Sequence, residues 1–203
     1  MDISSNFKHL IIPNFIKSDE VDEIISHSQA EKKEYRTNRG GNTYCTVAWF
    51  PHDHQEFAKI TARIDELISS QNGVRFHIPD IAPFKGQYQY TDYHEPGDAY
   101  GWHTDYGTSL EALARRRISI TIALSDVSEY EGGGFELSDH WGHSSEPNPA
   151  AVYDNMLSLT DEERRVIGQR GTLIMFASNR MHKALPVLSG SRKVLVCWVS
   201  SSD

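Results

Sequence analysis

Cysteine is nearly missing from this chain: two in 203 residues, Cys45 and Cys197, far apart and with no CxxC neighbour. That excludes a disulfide-stapled scaffold and suits two buried free thiols in a reducing, cytoplasmic setting. Long apolar runs are absent too. Nothing approaches the roughly 18 consecutive apolar residues of a membrane helix, and the opening "MDISSNFKHLIIPNF" has no basic leader ahead of an apolar stretch. Neither a signal peptide nor a membrane span is expected. Basic residues are outnumbered, with Lys and Arg totalling 20 against 28 Asp and Glu, for a formal charge of −8. A general phosphate-backbone binder needs a basic face, so no nucleic-acid partner is expected. Small anionic ligands stay open, because one local arginine suffices for those. There is no internal repeat and no low-complexity tract.

What the chain does have is periodicity. "HLIIPNFI" (9–16) reads as a short strand and "SDEVDEIISHSQ" as a helix, with Ser18 as N-cap and acids in its first turn. "TYCTVAWF" (43–50) is β-rich. Phe57, Ile60, Ile64, Leu67 and Ile68 recur at helical spacing in 52–73, and Gly73 is the expected stop. From residue 74 the pattern changes to strand-like runs: 84–93, 98–105, 116–125, 133–138, 171–178, 182–187 and 192–200, punctuated by Gly, Pro, Asn and Asp. Helices followed by about eight strands make an α+β chain whose strands form a sandwich or barrel. Residues 139–170 interrupt the series. Thr160 and Glu163 form a capping-box pattern within them, so a short helix is expected there.

The chemistry concentrates in "GWHTDYG" (101–107). On a strand, His103 and Asp105 point the same way. A histidine and a carboxylate converging on one point are two thirds of a metal site. The third candidate, His182, opens another strand-like run, and Arg192 opens the last one ten residues later. Two histidines and one carboxylate leave three coordination positions open, which suits a non-haem Fe(II) oxygenase. A dicarboxylate cosubstrate would then need a bidentate cation at its far end, and the planar fork of Arg192 matches a carboxylate.

In this order the residues resemble the Fe(II)/2-oxoglutarate dioxygenases, and within them the prolyl-4-hydroxylase-like branch. "YxxxGxAYGWHTD" (93–105) is similar to that family's stretch through its HxD motif. "YEGGGFEL" (130–137) resembles its Gly-Gly turn into a strand. "HKALPVLSGSR" (182–192) resembles its H-x-x-x-P-V-x-x-G-x-R segment. The match covers roughly 84–138 and 171–200; the first 80 residues resemble the family only in layout. The resemblance implies a double-stranded β-helix (jelly-roll, cupin-like) core over 84–200. The chain would be one domain, with 1–80 as helical support and 139–170 as an inserted segment placed to act as a lid.

It also implies Fe(II) held by His103, Asp105 and His182, and 2-oxoglutarate chelating the iron. Arg192 and Tyr93 would hold the far carboxylate, with Trp198, on the same strand face as Arg192, as a further candidate for binding the cosubstrate. O2 would be the second cosubstrate and ascorbate an additional candidate. The implied reaction is hydroxylation of a peptidyl proline or a small amino-acid-like substrate, releasing succinate and CO2. The superfamily's nucleic-acid demethylases carry a second arginine six residues after the first, where this chain has Trp198. Its halogenases replace the carboxylate with a small residue, where this chain has Asp105. Two rival readings stand beside this one: a non-catalytic β-helix module that senses a dicarboxylate, and a zinc hydrolase built on the same three ligands.

Other polar clusters have plainer readings. His52 and His54 sit at an expected helix start and read as solvated. His140 and His143 fall in the interrupting segment and read as an exposed loop. Arg115, Arg116 and Arg117 read as charges on a loop before a strand, with room for one turned inward.

Overall fold

In a computed structural model of the protein, the residues described are 9–30, 43–78, 80–81, 83–107, 110–141 and 147–202. The strands are β1 (Leu10–Ile12), β2 (Thr43–Tyr44), β3 (Thr46–Pro51), β4 (Gln87–Tyr93), β5 (Ala99–His103), β6 (Arg116–Ala123), β7 (Tyr130–Gly132), β8 (Phe135–Trp141), β9 (Leu173–Ala177), β10 (Arg180–Ala184), β11 (Val187–Gly190) and β12 (Arg192–Ser200). The helices are α1 (Ser18–Ala30), α2 (Ala58–Gln71), α3 (Glu111–Ala114), α4 (Pro149–Asp154) and α5 (Asp161–Ile167). None of the described helices is long and apolar enough to cross a membrane.

The strands form a six-stranded antiparallel sheet in the order β1-β9-β6-β12-β4-β3, a four-stranded sheet β2-β5-β10-β8, and a two-stranded ribbon β11-β7. Side-chain alternation decides which face does what. On β12, Leu195, Cys197 and Val199 join the main core with Ile118, Ile120 and Ile122 of β6 and Leu173, Met175 and Ala177 of β9. Onto that face α1 brings Val21 and Ile24, and α2 brings Ile60, Ile64 and Ile68, each at three- or four-residue spacing. A fully buried isoleucine such as Ile64 contributes about 1.5–3 kcal/mol by leaving water. The opposite phase of β12 (Arg192, Val194, Val196 and Trp198) faces the four-stranded sheet, and a cavity lies between the two.

Three details differ from the sequence reading. The expected helix at 52–73 begins only at Ala58, after a 3₁₀ turn at Gln55–Phe57, and Gly73 does not end it. A π turn carries the chain on to Phe76, which is wholly buried, and His77 makes the exit with φ +51. The Asn72 side chain holds that exit by bonding both the N–H and the carbonyl of Ile78 at 2.9 Å. The run 43–50 is two strands in two different sheets, divided at Cys45. The ribbon of β7 and β11 comes from runs of three and four residues, too short to carry a period. The expected capping box is present: Thr160 Oγ1 accepts from the Glu163 N–H while the Glu163 carboxylate accepts from the Thr160 N–H.

Candidate metal centre

β10 lies between β5 and β8 in the smaller sheet, and His182 is the direct antiparallel partner of His103. Facing residues of an antiparallel pair share a face, so the two rings meet with centroids 4.1 Å apart. Asp105 arrives differently. β5 ends at His103, and Asp105 sits in the bend beyond it, so the strand alternation expected for 98–105 does not place its side chain. The backbone of Ser178 does: its carbonyl accepts the N–H groups of Asp105 and Tyr106, both at 2.9 Å. His182 likewise stands inside β10 rather than opening it.

The donor atoms of His103, Asp105 and His182 all lie within 4.8 Å of one another, the one such cluster among the described residues. Their hydrogen bonds select the donors. His103 Nδ1 is 2.8 Å from the Gly101 carbonyl, and His182 Nδ1 is 3.0 Å from the Arg180 carbonyl. A carbonyl only accepts, so each Nδ1 carries the proton and each Nε2 offers a lone pair. Burial, reinforced by neighbouring His182, pushes the His103 pKa down to about 3, so its imidazole is neutral. Burial alone would raise the Asp105 pKa. His182, His103 and a hydrogen bond from Ser119 outweigh it and hold the carboxyl well below the usual range. Two imidazoles, each with its Nε2 toward the other donors, and one carboxylate fit a divalent iron with open positions.

The same cavity is lined by Arg192 and Tyr93. They are direct cross-strand partners on β12 and β4, with the guanidinium carbon 5.3 Å from the phenol ring centre. Both are buried, at 6% and 5% exposure. Burial and nearby Cys45 push the Tyr93 pKa up while Arg192 pulls it back, so the phenol keeps its proton and can donate. Gly133, at φ +61, presses onto this arginine. A Cβ there would come within 3.0 Å of Arg192 Cδ, so the glycine turn covers the Arg192 stem.

Trp198 also faces the cavity, against Arg116, one of the three arginines singled out in the sequence, and Trp49, which the sequence reading passed over. The Arg116 guanidinium lies 3.7 Å above its ring, and Trp49 stacks at 5.9 Å. Of the three consecutive arginines, Arg116 is the inward one; Arg117 instead donates to the carbonyls of Ala114 and Arg116. His52 and His54 do not line the cavity. His54 caps a helical turn through the Glu56 N–H and lies against His27. His140 packs on Tyr153, and His143 lies outside the described residues.

No described residue of 139–170 lines this cavity. Its described residues instead bond side chains of the metal-facing strands and their neighbours. Asp154 of α4 accepts from Trp102 Nε1 at 3.2 Å and from Lys183 Nζ at 2.5 Å, the immediate neighbours of His103 and His182. On α5, Arg164 bonds Glu136 of β8 and Glu163 bonds His9.

Residues 88–200 match the family described as the 2OG-Fe(II) oxygenase superfamily. The chain belongs to that superfamily. A PKHD-type hydroxylase of Synechococcus sp. (strain CC9902) is 35% identical over 107 residues, which are 53% of this chain and 38% of the relative. A PKHD-type hydroxylase of Shewanella oneidensis is 24% identical over 197 residues, covering 94% of this chain and 77% of that one. The chain thus spans well under half the length of the Synechococcus relative it matches. Among solved structures, a Pseudomonas putida prolyl-4-hydroxylase superposes with a TM-score of 0.69 at 16% identity, over 98% of this chain and 95% of the other. A Trichoplax adhaerens prolyl hydroxylase, solved with a hypoxia inducible factor peptide, superposes with a TM-score of 0.68 at 21% identity, over 97% and 84%. These oxygenases share the double-stranded β-helix fold, and the superfamily's cofactor and cosubstrate are iron(II) and 2-oxoglutarate.

Proposed function

We propose that this superfamily member is an Fe(II)- and 2-oxoglutarate-dependent hydroxylase whose substrate is a peptidyl proline or a similar amino-acid-like group. One observation carries the reading. A two-histidine, one-carboxylate cluster and a buried arginine–tyrosine pair face the same cavity from opposite sheets. His103 Nε2, His182 Nε2 and Asp105 would hold the metal. Iron, when bound, supplies the electron transfer that couples oxidative decarboxylation of 2-oxoglutarate to oxidation of a substrate C–H bond.

The chain's own residues do the rest. The Arg192 fork binds the far carboxylate, and the Tyr93 hydroxyl donates to it. Phe135, Val194 and Val196 add apolar surface to the cavity lining, which strengthens both contacts. On the open side, Trp49 is 39% exposed and Trp198 is covered by Arg116. An aromatic wall with a cation at its edge suits a saturated ring flanked by peptide carbonyls. The metal-hydrolase alternative needs a second carboxylate as general base, and Asp105 is the one carboxylate among the described lining residues.

The test has two stages. Anaerobic addition of Fe(II) and 2-oxoglutarate should give the weak visible charge-transfer band of the chelate. Succinate release should then rise above its uncoupled level with proline-containing peptides and less with free amino acids. An absent band would remove the iron reading; a band with no stimulation by any prolyl or amino-acid substrate would remove the substrate class.

Arg192→Lys separates clamp from metal. Lysine keeps the charge and loses the fork. The KM for 2-oxoglutarate should rise by about one to two orders of magnitude, in line with the roughly 1.5–3 kcal/mol of a charged hydrogen bond. Iron stoichiometry should hold. An unmoved KM would make Arg192 a structural residue.

A further inference from the structure

We propose that Ser119, backed by Ser178, is a positioning residue that fixes which carboxylate oxygen Asp105 turns to the metal. This rests on the reading that His103, Asp105 and His182 bind iron. Ser119 lies in β6 with no exposure, in the phase that faces the cavity side of the sheet, between Ile118 and Ile120 of the opposite core. Its Oγ is 2.7 Å from Asp105 Oδ2 and 3.0 Å from Ser178 Oγ.

A hydroxyl has one proton, and the ionised carboxylate can only accept. Ser119 therefore donates to Asp105, and the Ser178 hydroxyl donates to Ser119. The result is a directed chain, Ser178 to Ser119 to Asp105 Oδ2. Because Asp105 stands beyond the end of β5, no strand register orients its carboxylate. Its backbone is fastened to the Ser178 carbonyl, and its side chain is fastened through the two hydroxyls. Oδ2 accepts the serine proton on one lone pair, and Oδ1 is the oxygen that Ser119 does not bond. Ser178 also precedes β10, which carries His182, so one turn positions two of the three ligands.

A serine that merely satisfies itself in the core would affect the stability of the metal-free protein and nothing else. A positioning serine acts on metal affinity. The experiment titrates the metal-free full chain, wild type, Ser119→Ala and Ser178→Ala, with Mn(II) and anaerobically with Fe(II). Each metal-free melting curve is recorded alongside. Ser119→Ala should bind both metals about 10–100-fold more weakly, the range seen when an outer hydrogen-bond partner of a ligand is lost. Ser178→Ala should lose less. The visible band of the Fe(II)–2-oxoglutarate form should shift in Ser119→Ala, because the carboxylate donor has turned.

Wild-type affinity and an unshifted band in a folded Ser119→Ala overturn the proposal while leaving the iron reading intact. Should Ser119→Ala fail to fold, Ser178→Ala decides, and unchanged metal affinity there overturns it. A wild-type chain that binds neither metal overturns the iron reading and the proposal with it.

Discussion

His182→Ala is expected to abolish iron binding while the fold survives. The ring contacts His103 at 4.1 Å, Phe176 at 4.7 Å and Phe135 at 5.9 Å between centroids, so its loss opens a small void rather than breaking a ladder. The backbone pairing of β10 with β5 and β8 does not depend on the side chain. The electrostatic effect is larger. Asp105 is buried, and His182 is the strongest of the groups that hold its pKa down. With the ring gone, one imidazole and one carboxylate remain, and affinity should fall by more than the roughly 10–100-fold that outer partners are worth. Iron stoichiometry and circular dichroism, measured on the same sample, check this. A variant that keeps full iron content would remove His182 from the site.

The convergence of His103, His182 and Arg192 on one cavity was readable from the chain because they lie on elements of regular period. On β12 the alternation separates Arg192, Val194, Val196 and Trp198 from Leu195, Cys197 and Val199. The first set faces the cavity and the second the helices. His103, His182 and Arg192 each sit on a strand, so their relation follows from fold and order. What could not be read depends on contacts between distant segments. Asp105 faces the histidines through a turn held by Ser178, seventy-odd positions away along the chain. Three arginines in a row give no sign of which one turns in, and it is β6 beginning at Arg116 that decides. Ser119 did leave a signal, a small polar residue in the inward phase of "RRISITIA", though nothing local says what it bonds. The segment 139–170 carries no period strong enough to place it. Its attachment to β5 and β10 is made where Asp154 meets Trp102 and Lys183.

Arg180→Ala is expected to be the most destabilising change in that region. Arg180 is 1% exposed, a charge almost wholly withdrawn from water. Burial lowers its pKa and Asp139 opposes that. Its guanidinium donates to the Ser138 carbonyl at 2.7 Å, to Asp139 Oδ1 at 2.8 Å and to Ser158 Oγ at 2.8 Å. It thereby ties both ends of the stretch 138–158 to β10, two residues before His182, whose Nδ1 bonds the Arg180 carbonyl. Alanine would leave a large void and three acceptors without their donor. Large-to-small changes in a core cost about 2–5 kcal/mol, and unsatisfied buried groups add to that. A loss of about 3 kcal/mol lowers the melting midpoint by roughly 6–12 °C in a chain of this size. Arg180→Lys should recover only part of it, because an ammonium cannot reach three acceptors in one plane. Thermal melts of the metal-free protein read this directly. Because the same arginine backs the His182 strand, iron affinity should weaken in Arg180→Lys even where the fold holds. An unchanged midpoint in Arg180→Ala would mean that 138–158 is anchored by its other contacts, Asp154 with Lys183 first among them.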